Sequence, residues 1–199
     1  MIIEGKSVCA ACNHSLHSDG RLVSFAWIDT DDPALALYSD AGAHFECLSS
    51  SDARSKLSRI YLEQLGPDGE KANGSKVVTI SDDWRVKARM GGIIVRNGSL
   101  FFTLEMPRET AVEFVGSDFW HSNEHNGFSG SGFAAEYRIV GSNVEFAFRC
   151  FPYAMHLSDC VPGQIQFIRR VIRGNSLESM LTSMKAALQE AIKHEKGQA

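Results

Sequence analysis

The chain has 199 residues, of which 44% are hydrophobic and 22% are charged. This composition is typical of a soluble globular protein with one or two domains and a buried core. The formal net charge of −4 argues against a protein wrapped in nucleic acid, which usually carries a basic excess, and slightly favours a basic partner.

The cysteine count and the first residues indicate the compartment. An odd number of cysteines, five, with two of them in a C-x2-C pair, is typical of a reducing compartment rather than of a disulfide framework. The first residues lack the apolar core of a signal peptide, and no apolar run reaches membrane-spanning length. We therefore expect a cytoplasmic protein with no membrane partner.

Two pairs of metal-binding side chains lie in the first quarter of the chain. Cys9 and Cys12 form a C-x2-C pair, and His44 and Cys47 form an H-x2-C pair. The first spacing predicts a tight knuckle that points both sulfurs at one ion. The second suits the first turn of a helix, where residues three apart share a face. Together the four side chains are a complete ligand set for one tetrahedral zinc ion.

Three other interpretations of these residues stay open at the level of sequence. The four side chains could be small buried or idle groups that fall in pairs by chance, since free cysteine is often a core residue. His14 or His17, close to Cys12, could replace His44 as the fourth ligand. Cys9 and Cys12 could also be a thioredoxin-like redox pair, although the βαβ context expected for that use is absent.

The order of elements around the four ligands resembles a known zinc-binding family. A knuckle, a hairpin-like middle and a helix that carries the second ligand pair, over residues 7–65, resemble the treble-clef zinc fingers. The C-x2-C…H-x2-C order is similar to one half of a LIM domain, with a longer middle and no second zinc module behind it. The resemblance implies one zinc ion, and a site closed by four protein ligands is structural because a catalytic zinc keeps a position open for water.

The remaining N-terminal pattern predicts the elements between and after the ligand pairs. Strand-forming residues over 21–28 and 34–38 flank a turn at 29–33, which predicts a hairpin. Apolar residues at helical spacing predict a helix over 48–65 that ends at Gly66. The polar, glycine-rich segment 67–75 is typical of a linker. The predicted organisation is a zinc-binding module over 1–66, a linker over 67–75 and a second domain over 76–199.

Beyond the linker the pattern predicts a mainly antiparallel β-sheet. Strands are predicted over 76–80, 84–90, 93–95, 100–104, 109–115, 134–140, 144–151 and 165–173. Asn97-Gly98 and the 141–143 segment predict hairpin turns. The long segment 116–132 is predicted to hold little secondary structure.

A C-terminal helix completes the predicted fold. Asn175 or Ser176 can cap it, and Glu178 lies in its first turn. One apolar stripe is expected to pack on the sheet, and it consists of Leu177, Met180, Leu181, Met184, Leu188, Ala191 and Ile192. The fold class is therefore α+β, with a treble-clef-like zinc module followed by an antiparallel sheet domain that the helix covers.

The segment 121–125 matches H-x-x-E-H, a metallopeptidase signature. That chemistry needs both histidines one helical turn apart, with the glutamate beside the bound water. The glycine-rich sequence that follows cannot continue a helix, and no third ligand can be identified. A metal-dependent hydrolase that uses His121, Glu124 and His125 is therefore a minor alternative.

Aromatic side chains in the same segment favour recognition of another protein. Aromatic anchors among small polar residues are typical of protein interfaces. The predicted partner-binding residues are Phe119, Trp120, His121, Glu124, His125 and Phe128.

Two further patterns are interpreted as structural. Cys150 and Cys160, with His156, lack the marks of a nucleophile and its base and are taken as structural thiols. Basic residues over 85–89 and 169–173 could track phosphates, but solvated strand faces explain them better in a chain of negative net charge.

These observations favour a non-enzymatic protein-binding module stabilised by one structural zinc. An inhibitor or immunity-type protein, which covers a basic cleft on a partner protein, fits the acidic charge. A nucleic-acid-binding regulator is the second hypothesis, and the hydrolase is the third.

Overall fold

The N-terminal part of the computed structural model is built on a short antiparallel hairpin. The structure describes residues 7–17, 19–49, 51–71, 74–89, 92–121, 124–150 and 166–196. Strand β1 (Leu22–Ser24) pairs with β2 (Gly42–His44), so that Leu22 lies opposite His44. The returning strand therefore carries a predicted metal ligand at its end.

The predicted strand over 34–38 is wrong, because this segment contains helix α1 (Pro33–Ala36). The Asp32 side chain accepts a hydrogen bond from the Ala34 N–H at 3.0 Å, which caps the first turn. Pro33 at the first helical position has the fixed φ that a helix start requires. The alternating apolar residues suggested a strand, but this local capping decides the conformation.

The predicted helix over 48–65 is two helices rather than one. Helix α2 (Phe45–Ser49) follows β2 directly, and α3 (Arg54–Glu63) begins after a turn. The Ser51 hydroxyl accepts from the Ala53 N–H at 3.1 Å in that turn. A side chain that bonds its neighbouring backbone in this way competes with helix continuation.

The first large sheet has five antiparallel strands in sequence order. Its strands are β3 (Gly69–Glu70), β4 (Lys76–Ser81), β5 (Trp84–Arg89), β6 (Gly92–Asn97) and β7 (Phe102–Pro107). The predicted turn at Asn97-Gly98 joins β6 and β7, and the Asn97 side-chain oxygen accepts from the Leu100 N–H at 2.8 Å. Strand β3 lies inside the predicted linker; the division into module, linker and domain stays a prediction.

The predicted strand over 109–115 is also wrong, because these residues form helix α4 (Arg108–Gly116). Thr110, Ala111 and Phe114 are buried and share one helical face. The β-branched residues favoured a strand locally, and burial of this face against the rest of the core overrides that preference.

The second large sheet has four antiparallel strands in the order β11-β10-β9-β8. Its strands are β8 (His125–Gly130), β9 (Phe133–Val140), β10 (Asn143–Cys150) and β11 (Gln166–Arg173). The predicted hairpin of β9 and β10 is confirmed, with Val144, Phe146 and Phe148 on the buried face. Segment 116–132 is more ordered than predicted, since it contains β8 and a 3-10 turn over Asp118–Trp120.

Helix α5 (Leu177–Lys196) packs its apolar stripe against the first sheet and α4. One cluster of buried side chains joins both large sheets with the N-terminal part, and includes Cys9, Phe101, Phe148 and Leu188. The α+β fold class is thereby confirmed. Among the described residues, no helix is long and apolar enough to cross a membrane.

A buried arginine connects three parts of this fold. Arg170 on β11 is 2% exposed, and its guanidinium lies 5.0 Å from the centre of the Phe45 ring. Burial lowers the pKa of Arg170 to about 10. Its nitrogens donate to the backbone carbonyls of Gly20 at 2.7 Å, Leu100 at 2.6 Å and Phe101 at 2.6 Å. Arg170 therefore belongs to the core and not to a solvated basic face.

Gly98 gives a test of the packing between α3 and the first sheet. A Cβ atom at Gly98 would lie 2.7 Å from the Ser58 hydroxyl oxygen and 2.9 Å from Leu62. We expect Gly98→Ala to lower the free energy of unfolding by roughly 1–3 kcal/mol, measured by urea denaturation, because an added methyl overpacks a close contact. Gly116→Ala is the matched control, since nothing lies within 4 Å of its Cβ position. Equal effects in both variants would contradict this close approach.

Candidate metal centre

The first ligand pair lies in a tight turn at the start of the described chain. Val8 and Ser15 form an antiparallel bridge that closes this turn. The Cys9 N–H donates to the His14 carbonyl at 2.8 Å, and the Asn13 N–H donates to the Cys9 carbonyl at 2.9 Å. Asn13 has a φ of 60°, a left-handed conformation that asparagine tolerates. The predicted knuckle is formed.

The second ligand pair spans the junction of β2 and α2. His44 is the last residue of β2, and Cys47 lies in α2. The knuckle is attached to the same strand, because the Ala10 N–H donates to the Gly42 carbonyl at 2.9 Å. Backbone hydrogen bonds thus bring together ligands that are more than thirty residues apart in sequence.

The four ligand atoms converge on one point. His44 Nδ1 lies 3.5 Å from Cys12 Sγ and 3.9 Å from Cys47 Sγ. All four ligand atoms, including Cys9 Sγ, lie within 4.8 Å of one another. A tetrahedral zinc with ordinary bond lengths places its nitrogen and sulfur ligands roughly 3.5 Å apart. The group can therefore hold a metal ion, and its dimensions are compatible with zinc.

The other nitrogen of His44 has a defined partner. Nε2 lies 3.2 Å from the Ser15 carbonyl oxygen. A carbonyl only accepts hydrogen bonds, so Nε2 carries the proton and the lone pair of Nδ1 is on the side of the Cys12 and Cys47 sulfurs. Metal-binding histidines are typically oriented by such a bond to a carbonyl or carboxylate.

The electrostatics of the sulfurs favour a bound cation. Burial alone would raise the pKa of Cys9, but backbone N–H groups of His44, Cys12 and Ala11 lower it to about 7. Burial, together with the neighbouring Cys12 and Cys9 sulfurs, raises the pKa of Cys47 to about 12. Crowded thiolates repel one another, and a metal cation removes that cost by binding all of them.

The structure decides between the histidines considered from sequence. His44 belongs to the ligand group, whereas His14 and His17 are exposed and lie outside it. The surrounding elements are the knuckle and the β1–β2 hairpin, and not the βαβ context of a thioredoxin-like redox pair.

The described residues of the H-x-x-E-H segment, His121, Glu124 and His125, do not lie in a helix. His121 follows the 3-10 turn, and Glu124 directly precedes His125, the first residue of β8. His121 and Glu124 are exposed, as is His125; residues 122 and 123 lie outside the described chain. In the described ranges, the Cys9, Cys12, His44 and Cys47 group is the one set of three or more potential ligands that could hold a metal.

The aromatic residues predicted to bind a partner contribute to the core. Phe119 is 1% exposed, and its ring centre lies 4.8 Å from that of Phe114. Trp120 is half-buried and donates its indole N–H to the Phe114 carbonyl at 2.6 Å. Phe128, also half-buried, lies 4.8 Å from Phe114. A partner-binding role for this segment stays a prediction, and its histidines and glutamate are the exposed groups.

The basic strand face and the remaining cysteines have structural roles where they are described. Arg85 binds Asp68 at 2.9 Å, and Arg89 forms an ion pair with Glu105. Cys150 is buried, and this burial raises its pKa to about 12, as expected for an unreactive thiol. Cys160 and His156 lie outside the described residues.

Sequence reasoning missed one exposed feature in the connection between β1 and β2. Trp27 and Leu37 lie between β1 and β2 and are 71% and 63% exposed. No signal in the sequence indicated this exposure, because tryptophan is enriched in strands and is buried on average.

Comparison with protein-family models and curated sequences found no relative of this chain. No protein-family model matches the chain, and no curated protein sequence is similar to it. The donor set, its spacing and its hydrogen bonds are therefore the basis of the functional proposal.

Proposed function

We propose that this protein is a non-enzymatic, cytoplasmic protein-binding module whose N-terminal part is held by one structural zinc ion. The observation that carries the proposal is the convergence of Cys9, Cys12, His44 and Cys47 on one point. Four protein ligands complete a tetrahedral shell and leave no position for water or substrate. The ion supplies a cross-link between the knuckle and the β2–α2 junction, in an arrangement similar to a treble clef or one half of a LIM domain.

Zinc is the metal that this donor set favours. Three thiolates and one imidazole at tetrahedral spacing are the ligands of structural zinc sites, whereas hard cations require oxygen ligands. The residues of this chain position that set: the backbone N–H of His44 lies 3.4 Å from Cys9 Sγ, and the Ser15 carbonyl orients the imidazole. A reducing compartment keeps the three thiols available for the metal.

The net charge of −4 supports a basic protein as the partner. Complementary charge speeds association and disfavours partners of the same sign. An inhibitor or immunity-type protein that covers a cationic cleft is the biological role that fits best. The nucleic-acid alternative has less support, because Arg85 and Arg89 are paired with acids and Arg170 is buried.

Metal analysis separates this proposal from a hydrolase. Native mass spectrometry of the purified chain is expected to show one zinc per molecule. The double variant His121→Ala/His125→Ala should retain that zinc, because both residues lie outside the ligand group. Two metals in the unaltered chain, with one lost in the double variant, would contradict the proposal and favour the hydrolase. Absence of metal would contradict the structural zinc.

A further inference from the structure

The connection between β1 and β2, residues 25–41, has two chemically distinct sides. Its inner side is formed by Phe25, Ile28, Leu35 and Tyr38, each between 4% and 6% exposed. Phe25 lies edge-on to Tyr38, with ring centres 5.8 Å apart. The connection is thus anchored in the core, so the exposure of residues on its outer side does not result from loose packing.

The two arms of the connection are tied to each other and to the C-cap residue of α3. The Ile28 N–H donates to the Ser39 hydroxyl at 2.8 Å. The Gln64 side chain bonds both the N–H and the carbonyl of Ala26, at 3.4 Å and 3.3 Å. The base of the connection runs into β2, which carries His44. A segment held in this way loses little conformational freedom on binding.

The residues of the connection that are exposed to solvent combine large apolar groups with negative charge. Trp27 is 71% exposed and Leu37 is 63% exposed. Residues 25–41 contain four aspartates and no lysine, arginine or histidine. Asp29, Asp31 and Asp40 are exposed, whereas Asp32 is bonded to Lys56 at 2.8 Å. Exposed apolar groups that lie together mark interaction sites, and tryptophan is among the residues most enriched in interface hot spots.

We infer that this outer side, the Trp27 surface (Trp27, Leu37, Asp29, Asp31 and Asp40), docks a basic segment of a partner protein. The partner segment supplies an apolar side chain against Trp27 and Leu37, and lysines or arginines opposite the aspartates. This inference rests on the proposed protein-binding function and names the surface and partner chemistry for it.

The charge of the Trp27 surface excludes the other obvious occupants. A second copy of the chain would bring the same aspartates face to face, and like charges across an interface are unfavourable. An anionic bilayer or a nucleic-acid backbone would be repelled for the same reason. A basic peptide segment satisfies both the apolar and the acidic groups.

A library of random peptides displayed on phage tests the chemistry of the partner segment directly. Selection on the zinc-loaded full chain is expected to enrich peptides that contain lysine or arginine together with an aromatic or aliphatic residue. Trp27→Ala should weaken the selected peptides about tenfold or more, because it removes the apolar anchor. The side chain is exposed, so this substitution leaves the fold intact.

Charge variants test the acidic part of the surface. Asp29→Asn/Asp31→Asn is expected to weaken the same peptides and to reduce the dependence of their affinity on salt. Asp82→Asn/Asp83→Asn is the matched control, because these exposed aspartates lie in the turn between β4 and β5. The control should bind like the unaltered chain.

The fluorescence of Trp27 gives a direct readout of occupancy. The chain has three tryptophans, and of these Trp84 is buried and Trp120 is half-buried. Binding should shift the emission to the blue, and Trp27→Phe should abolish the shift.

The following outcomes would overturn the Trp27 surface. Selected peptides without a basic bias, or peptides that bind Trp27→Ala as tightly as the unaltered chain, would overturn the Trp27 surface while leaving protein binding intact. Failure to enrich any peptide would overturn the Trp27 surface, whereas the proposed function fails if the metal analysis finds no zinc. Co-sedimentation with neutral phosphatidylcholine vesicles that requires Trp27 would overturn the inference in favour of a lipid.

Discussion

Replacing His44 with alanine is expected to abolish stoichiometric zinc binding and to unfold the N-terminal part of the chain. Structural zinc in finger peptides has an apparent binding free energy of roughly 10–16 kcal/mol near neutral pH, as large as the total stability of many domains. Loss of even a third of that value lowers the melting temperature by roughly 10 °C or more. Zinc release to a chromogenic chelator and thermal unfolding followed by circular dichroism measure both effects.

His14 and His17 provide controls of the same residue type. Both are exposed and lie outside the ligand group, so His14→Ala and His17→Ala should retain one zinc and the melting temperature of the unaltered chain. A strong chelator added to the unaltered chain should reproduce the effect of His44→Ala. If His44→Ala keeps its zinc and its stability, the metal centre does not have the structural role proposed for it.

Replacing Arg170 with methionine is expected to lower the free energy of unfolding by roughly 3–5 kcal/mol. Methionine fills much of the same space but donates no hydrogen bonds. The carbonyls of Leu100 and Phe101, each 2.6 Å from the guanidinium, would then stay buried without this donor, whereas the Gly20 carbonyl keeps the Arg169 N–H at 2.7 Å. Urea denaturation measures the change through the transition midpoint.

The neighbouring arginine is a matched control for Arg170. The Arg169 side chain is 37% exposed and lies 3.9 Å from Glu145, so Arg169→Met should change stability by about 0.5 kcal/mol or less. Arg170→Lys should be nearly as damaging as Arg170→Met, because an ammonium group cannot span the separate carbonyls that the planar guanidinium reaches. If Arg170→Met and the unaltered chain have the same free energy of unfolding, the hydrogen bonds of Arg170 make no net contribution to stability.

The four residues that could hold a metal were predictable from the sequence because their spacing is a local property. Two residues between ligands suit a knuckle or one turn of a helix, and the structure brings both pairs together as a group within 4.8 Å. The Ser15 carbonyl that orients His44 was not readable, since any residue has a carbonyl and only the closed turn places this one. The spacing therefore predicted the four residues of the group but not the carbonyl that orients the imidazole of His44.

The secondary-structure predictions were wrong where the residue pattern favours one conformation and capping or tertiary packing favours another. In α1 the pattern of apolar residues suggested a strand, and the cap by Asp32 decided otherwise. In α4 the valines and threonine favoured a strand, and burial of one helical face overrode them. Strand β8 lacks strand-forming residues almost entirely, and it exists because β9 pairs with it along its length.

Whether a basic residue of β11 is exposed or buried depends on the strand register, which the sequence does not show. Arg169 and Arg170 are adjacent in the chain and look equivalent. Because side chains alternate along a strand, β11 directs Arg169 toward Glu145 and Arg170 into the core. One residue of slip would exchange the two environments.

The contact of Arg170 with Gly20 has a consequence for biosynthesis. The two residues are 150 positions apart, so most of the polypeptide must be synthesised and leave the ribosome before this bond can form. The knuckle and its partner strand are complete by residue 47 and can capture a metal while translation continues. The nascent chain would then carry a metal-loaded N-terminal region that lacks its contact with Arg170 until β11 emerges, and the formation of that contact is a late, long-range step in folding.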